Sequence, residues 1–176
     1  QFLGYTLQEL GSLEEAVASC NQAIKLKPEF AQAHNNLGIT LQELGRLDEA
    51  EASYNQAIAL KPDYAEAHSN LGVTLQELGR LHEAIASYTQ AITLKPDYTE
   101  ALVNLGIAIK NVKFNSPNPK LYPPLTQLIT AGNFCRPKDV AGSILRLLEQ
   151  DTQIKDLPLK KNFTLRLNEA TSIIES

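Results

Sequence analysis

The hydrophobic positions of this chain recur at helical spacing. Within residues 31–64, Ala33, Leu37, Leu41 and Leu44 stand three or four apart, which gathers their side chains on one face of an α-helix. After Gly45 the pattern restarts with Leu47, Ala50, Tyr54, Ala57, Ile58 and Leu60, and it stops at Pro62. Two amphipathic helices are therefore expected, joined at Gly45, where a left-handed backbone costs glycine little. Asp63-Tyr64-Ala65-Glu66 has the form of a capping box opening the next helix, repeated as Asp97 with Glu100.

A second, longer period lies over the first. Gly4, Gly38, Gly72 and Gly106 are spaced by 34, as are Gly11, Gly45 and Gly79, Ala16, Ala50 and Ala84, Ala23, Ala57 and Ala91, and Pro28, Pro62 and Pro96. Residues 31–64 and 65–98 differ at seven of 34 positions and are identical at the other 27. Small residues at Gly38, Ala50 and Ala57 let helix backbones approach closely. One such unit cannot bury its own apolar face, so neighbouring units must stack.

The pattern Leu37-Gly38, Leu41, Gly45, Ala50, Tyr54, Ala57, Pro62 resembles the tetratricopeptide repeat, with its 34-residue period. The resemblance implies an all-α fold, a right-handed solenoid of helix-turn-helix units over residues 1–113. It comprises a partial repeat 1–30, complete repeats 31–64 and 65–98, and a half repeat 99–113. His34 and His68 stand where the family usually carries a large aromatic, Leu41 and Leu75 where it often has Tyr, and Cys20 takes the slot of Tyr54 and Tyr88, where a small buried apolar residue is expected.

The period fails after Lys113, in the loop Asn115-Ser116-Pro117-Asn118-Pro119. Residues 114–176 read as an all-helical cap on the open end of the array. A first helix carries Leu121, Leu125, Leu128 and Ile129, a second Val140, Ile144, Leu147 and Leu148, and a third Leu165, Leu167, Ala170, Ile173 and Ile174. This portion also resembles the connector that follows short repeat arrays in large bacterial methyl-, glycosyl- or sulfo-transferases.

Charge narrows the choice of partner. Residues 1–112 carry 7 Lys/Arg against 14 Asp/Glu and residues 113–176 carry 9 against 6, giving −7 and +3 within the overall −4. An acidic array repels phosphate backbones, which argues against nucleic acid. No apolar run approaches a membrane span. Cys20 and Cys135 fall in no metal-like or redox-like spacing, which points to free thiols in a reducing compartment and a cytoplasmic location. The first residue is Gln1, so the chain is expected to be a piece of a longer product, and the apolar Phe2, Leu3 and Leu7 of its incomplete first repeat offer a route to self-association.

No GxGxxG, P-loop, HExxH or GxSxG sequence occurs. No catalytic residue, metal or cofactor is expected; His34 and His68 read as packing residues and His82 as solvated. Asn162-Phe163-Thr164 matches a glycosylation sequon of the kind that arises by chance.

Binding is left as the chemistry. In the family the first helices line a concave face, and the residue two before the first glycine points into it; here that is Asn36, Asn70 and Asn104. A carboxamide carries both donor and acceptor, so it can pair with an extended peptide backbone without reading sequence. The arrangement is similar to the asparagine ladder in the repeats of O-linked N-acetylglucosamine transferase. Beside it run an apolar stripe of Ile39, Val73 and Ile107, a row of Gln42 and Gln76, and a carboxylate stripe of Glu43 and Glu77. Family members that clamp a carboxylate terminus use Lys and Arg on this face, where this chain holds Gln32, Asn35, Glu66, Ser69, Glu100 and Val103. The expected role is a protein-interaction scaffold for a neutral-to-basic peptide or partner segment. The alternative is the substrate-recruiting arm of a multidomain transferase.

Overall fold

The computed structural model describes residues 2–110, 112, 114, 118–131 and 147. Among these the chain is helical throughout: α1 Phe2–Leu26, α2 Ala31–Glu43, α3 Leu47–Leu60, α4 Ala65–Glu77, α5 Leu81–Leu94, α6 Thr99–Lys110, a 3-10 turn Pro119–Leu121 and α7 Tyr122–Ala131. They fall into two compact units, α1–α4 and α5–α7.

In the first unit α2 and α3 form a hairpin, α1 packs on α2, α3 packs on α4, and α2 touches α4. The turn at Gly45 is closed as expected. Gly45 adopts φ +72°, its N–H donates to Gln42 O at 2.8 Å and that of Arg46 to Leu41 O at 2.8 Å, the paired bonds of a Schellman motif. Gly79 and Arg80 repeat this geometry on Gln76 O and Leu75 O. The hairpin is tight because the Tyr54 ring, fully buried, lies on Gly38. A Cβ built at Gly38 would stand 2.6 Å from Tyr54 Cε1. Ala57, Tyr64 and Ala67 continue this core, with Ala31 and Ile58 against them.

The structure departs from the sequence reading at Cys20 and at the capping box. The first repeat does not turn at Gly11: α1 runs unbroken from Phe2 to Leu26. The side chains that brace the later hairpin are missing, since Ser12 stands for the Arg46 guanidinium and Cys20 for the Tyr54 ring. Cys20 is accordingly half-buried rather than buried, because no first helix folds back over it. Its thiol is held above its ordinary pKa by partial burial. The capping box does not form either: α4 begins at Ala65 with Tyr64 as N-cap and no side-chain cap bond. The backbone closes that turn instead, with Tyr64 N–H on Lys61 O at 3.1 Å, while the Lys61 ammonium lies 4.7 Å from the Tyr64 ring centre. The same cation–π bracket recurs as Lys27 on Phe30 and Lys95 on Tyr98.

In the second unit α5 packs on α6, and α7 packs on both. Tyr88, Ile85, Leu102, Leu105, Ile109, Leu121, Leu125 and Leu128 form its core, each at most 2% exposed. Pro123 and Pro124 occupy the first turn of α7, where a missing N–H costs no helical bond. Gln127 donates its side-chain amide to Pro96 O. A helix is present at Tyr122–Ala131 and packs on α6, whose Leu102, Leu105 and Ile109 are buried. The helices expected over 140–148 and 165–174, Cys135 and the sequon at Asn162 lie outside the described residues, apart from a buried, helical Leu147.

Candidate functional site

The face formed by α2 and α4 brings together eight of the ten residues singled out from the sequence. On α2, Asn36, Ile39 and Glu43 are exposed and Gln42 is half-buried; on α4, Asn70, Val73 and Gln76 are half-buried and Glu77 is exposed. Ile39 retains 38% of its surface in water. Asn104 and Ile107 occupy the corresponding positions of α6 in the second unit, half-buried and 47% exposed respectively.

These amides are not equally available. Gln32 Nε2 donates to Asn36 Oδ1 at 2.9 Å, and Asn70 Nδ2 donates to Asn35 Oδ1 at 3.1 Å. Each asparagine therefore keeps one amide atom unengaged in these bonds, and half the capacity of the other. Gln42 is engaged further: its Nε2 donates to Glu77 Oε1 at 2.9 Å, and its Oε1 accepts from Tyr54 OH and from Thr74 OH, each at 3.2 Å. It ties α2 to α3 and α4 and acts as the floor of the face. Residue spacing does not disclose this tie, because the bond depends on the position that the Tyr54 phenol reaches across the hairpin.

The electrostatics follow from the same floor. The Tyr54 phenol is pushed well above its ordinary pKa, by burial first and then by the Glu43 and Glu77 carboxylates. Both carboxylates thus lie near the buried phenol beneath the face.

Two residues assigned to the inner face from sequence are not on the surface. Asn35 is 3% exposed and Ser69 fully buried; Asn35 takes the Asn70 bond where α2 and α4 meet, and Ser69 Oγ makes none among the described residues. His34 and His68 brace the turns, with Nε2 at 3.0 Å from Pro28 O and 3.1 Å from Pro62 O. Exposed His82 meets Phe114 edge to face. Among the described residues no group of three or more His, Cys, Asp or Glu is placed to hold a metal, and no helix is long and apolar enough to cross a membrane.

A 34-residue sequence period laid over helices joined by short turns, with a glycine at the tight α2–α3 crossing, defines a helical-repeat protein. Family models described as tetratricopeptide repeat and TPR repeat match residues 29–97 and 4–45. Between them they span residues 4–97, more than half of the 176, and the chain belongs to the tetratricopeptide repeat family.

Solved structures carry the same fold. The first TPR of Spaghetti (RPAP3), bound to the HSP90 peptide SRMEEVD, is 25% identical over 61% of this chain and 86% of that one, with a TM-score of 0.55. The O-GlcNAc transferase of Thermobaculum terrenum is 25% identical over 72% of this chain, with a TM-score of 0.58, but the match spans only 24% of that enzyme. MamA, at 18% identity and a TM-score of 0.63, covers 96% of this chain and 94% of its own. No curated protein sequence matches the chain.

Proposed function

We propose that this chain is a protein-interaction scaffold whose α2–α4 face receives an extended, neutral-to-basic peptide. The observation that carries the reading is the juxtaposition on that face of exposed Ile39, half-buried Val73 and the exposed carboxylates Glu43 and Glu77. Relatives with the same fold are seen with peptides, SRMEEVD in one and SGPTIEEVD in the second TPR domain of human RPAP3. Those peptides are acidic. Here Glu43 and Glu77 repel that charge and attract its opposite.

Magnitudes decide which contacts matter. A net hydrogen bond contributes about 0.5–1.5 kcal/mol, so one free amide atom on each of Asn36 and Asn70 supplies about 1–3 kcal/mol. Association costs an estimated 4–15 kcal/mol. The amides orient the chain, and affinity rests on an aliphatic anchor against Ile39 and Val73 with Lys or Arg near Glu43 and Glu77. Asn104 and Ile107 offer the same chemistry on α6.

The test is titration of a peptide library against wild type, Glu43→Gln/Glu77→Gln, and Asn36→Ala/Asn70→Ala/Asn104→Ala. Micromolar binding of basic-aliphatic peptides is expected, weakened by salt and by the glutamine pair, and weakened again in the alanine triple with helical content unchanged. A preference for acidic peptides overturns the electrostatic reading; unchanged affinity in the triple variant removes the ladder.

A second reading, the recruiting arm of a larger transferase, is favoured by the match to part of the Thermobaculum terrenum enzyme. A transferase domain beyond Ser176 in the complete reading frame supports it, and a reading frame without one removes it.

A further inference from the structure

The first ten residues of α1 match a first helix of the repeat in sequence but do not fold back on the rest of α1. Leu3-Gly4, Leu7, Leu10 and Gly11 stand in register with Leu37-Gly38, Leu41, Leu44 and Gly45, which fold back on α3 and cover it. In α1 the equivalent segment continues straight on. The consequence shows on the second half of α1: Ala16, Cys20 and Ala23 are half-buried, while Ala50, Tyr54 and Ala57 at the same positions of α3 are fully buried. Leu13 and Ile24 are likewise half-buried.

We infer that the uncovered face of α1 is a docking surface for residues 2–10 of a second copy of this chain, the two copies exchanging these segments reciprocally. The occupant is fixed by the α2–α3 hairpin of the same unit, which shows what covers a second helix of this sequence. A first-helix segment with the Leu-Gly-x-x-Leu-x-x-Leu-Gly spacing, x standing for any residue, is the matching surface. Within one chain it cannot reach: sixteen residues of straight helix place Gly4 about 24 Å from Cys20 at 1.5 Å per residue. A straight hinge in one copy and an unmet helix face in the other are the conditions for domain swapping. The contact has room, because Cys20 stands where a tyrosine ring fills the second repeat, so Gly4 of the partner meets a small side chain.

The test places a thiol at one end of the contact. In Gly4→Cys/Cys135→Ser, the introduced thiol and Cys20 cannot bond within a straight α1, since disulfides need Cα atoms within about 7 Å. Mild oxidation is expected to give a dimer on a non-reducing gel, with peptide mapping assigning the bond between positions 4 and 20. Adding Leu13→Pro should convert the product to a monomer with an internal bond. Proline is excluded from the interior of a straight helix but accepted at the first position of a second one. The unmodified chain should sediment as a dimer that dissociates on dilution. An internal bond without Leu13→Pro, no bond at all, equal dimer yield from Gln8→Cys in place of Gly4→Cys, or a monomer at every concentration overturns the inference.

Discussion

The first and second repeats share their glycines, alanines and proline at identical spacing, yet one is a straight helix and the other a hairpin. The difference lies in what the glycine's neighbours do. In the second repeat the Tyr54 ring fills the gap above Gly38, and the Arg46 guanidinium reaches Glu49 at 2.6 Å and Glu14 at 3.7 Å. In the first repeat those places hold Cys20 and Ser12. A glycine inside a helix costs about 1 kcal/mol, whereas a buried aromatic contact is worth about 3–5 kcal/mol. Glycine permits the turn; the ring across the hairpin decides whether it is made.

The largest effect should come from filling that gap. Gly38→Leu drives a side chain into the Tyr54 ring, where a Cβ alone already comes within 2.6 Å, and overpacking costs about 1–3 kcal/mol or more. Gly4→Leu lies on the straight α1, sixteen residues before Cys20, the counterpart of Tyr54. Thermal melts should show a large loss for the first and a small one for the second; equal losses would break the comparison.

Next come the two turn glycines, with opposite signs. A Cβ at Gly45 has nothing within 4 Å, so Gly45→Ala costs only the strain of φ +72°, about 1–2 kcal/mol. Gly11 is as open but lies within α1, so Gly11→Ala should stabilise by up to about 1 kcal/mol. Denaturant midpoints for the pair check this. A loss at both positions means the first repeat turns in solution.

How much of this the sequence disclosed depends on whether the signal was local. The 34-residue period located α2–α6 and the glycine turns, because it reports which faces must be apolar and where the chain must reverse. The period is equally good at Gly11, where the chain does not turn, since the residue standing for Tyr54 is Cys20, nine residues further on. Asp63 and Glu66 matched a capping pattern, but the Pro62 turn places Tyr64 at the cap and leaves Asp63 outside the helix. At the site, Ile39, Glu43 and Glu77 were found on the surface where spacing put them. The burial of Asn35 and Ser69 and the tie through Gln42 depend on how close α2 and α4 come, which one residue's spacing does not encode.

One repeat position on α2 and α4 offers a smaller contrast. Asn35 and Ser69 occupy the same repeat position, yet Asn35 accepts from Asn70 and Ser69 Oγ has no partner. A buried donor left unsatisfied costs about 1–3 kcal/mol. Ser69→Ala is therefore expected to raise stability by about 1 kcal/mol, and Asn35→Ala, which strands the Asn70 amide, to lower it by a similar amount. Urea unfolding of both variants measures the difference.

The smallest effect concerns the arginine that the first turn lacks. The Arg46 guanidinium makes a bidentate pair with Glu49, at 2.7 and 2.6 Å, and holds that carboxyl below its ordinary pKa, the hydrogen bond outweighing slight desolvation and the plain charge attraction adding to it. A depressed carboxyl contributes stability that is fully present above the unfolded-state value of about 4.3 and is lost as pH falls through the lower folded value. Both groups are solvent-exposed, so the contribution is small. Arg46→Gln should return the Glu49 titration, followed by carboxyl NMR, toward the ordinary value. Its stability deficit against wild type should shrink as pH falls below about 4.3 and shrink with added salt at neutral pH. Ser12→Arg, which supplies the same cation in the first repeat, should leave α1 straight, since the Tyr54 contact is still missing there. A hairpin in that variant, read from a monomeric internal bond between Cys20 and a thiol introduced at position 4, would mean that turn closure outweighs the ring.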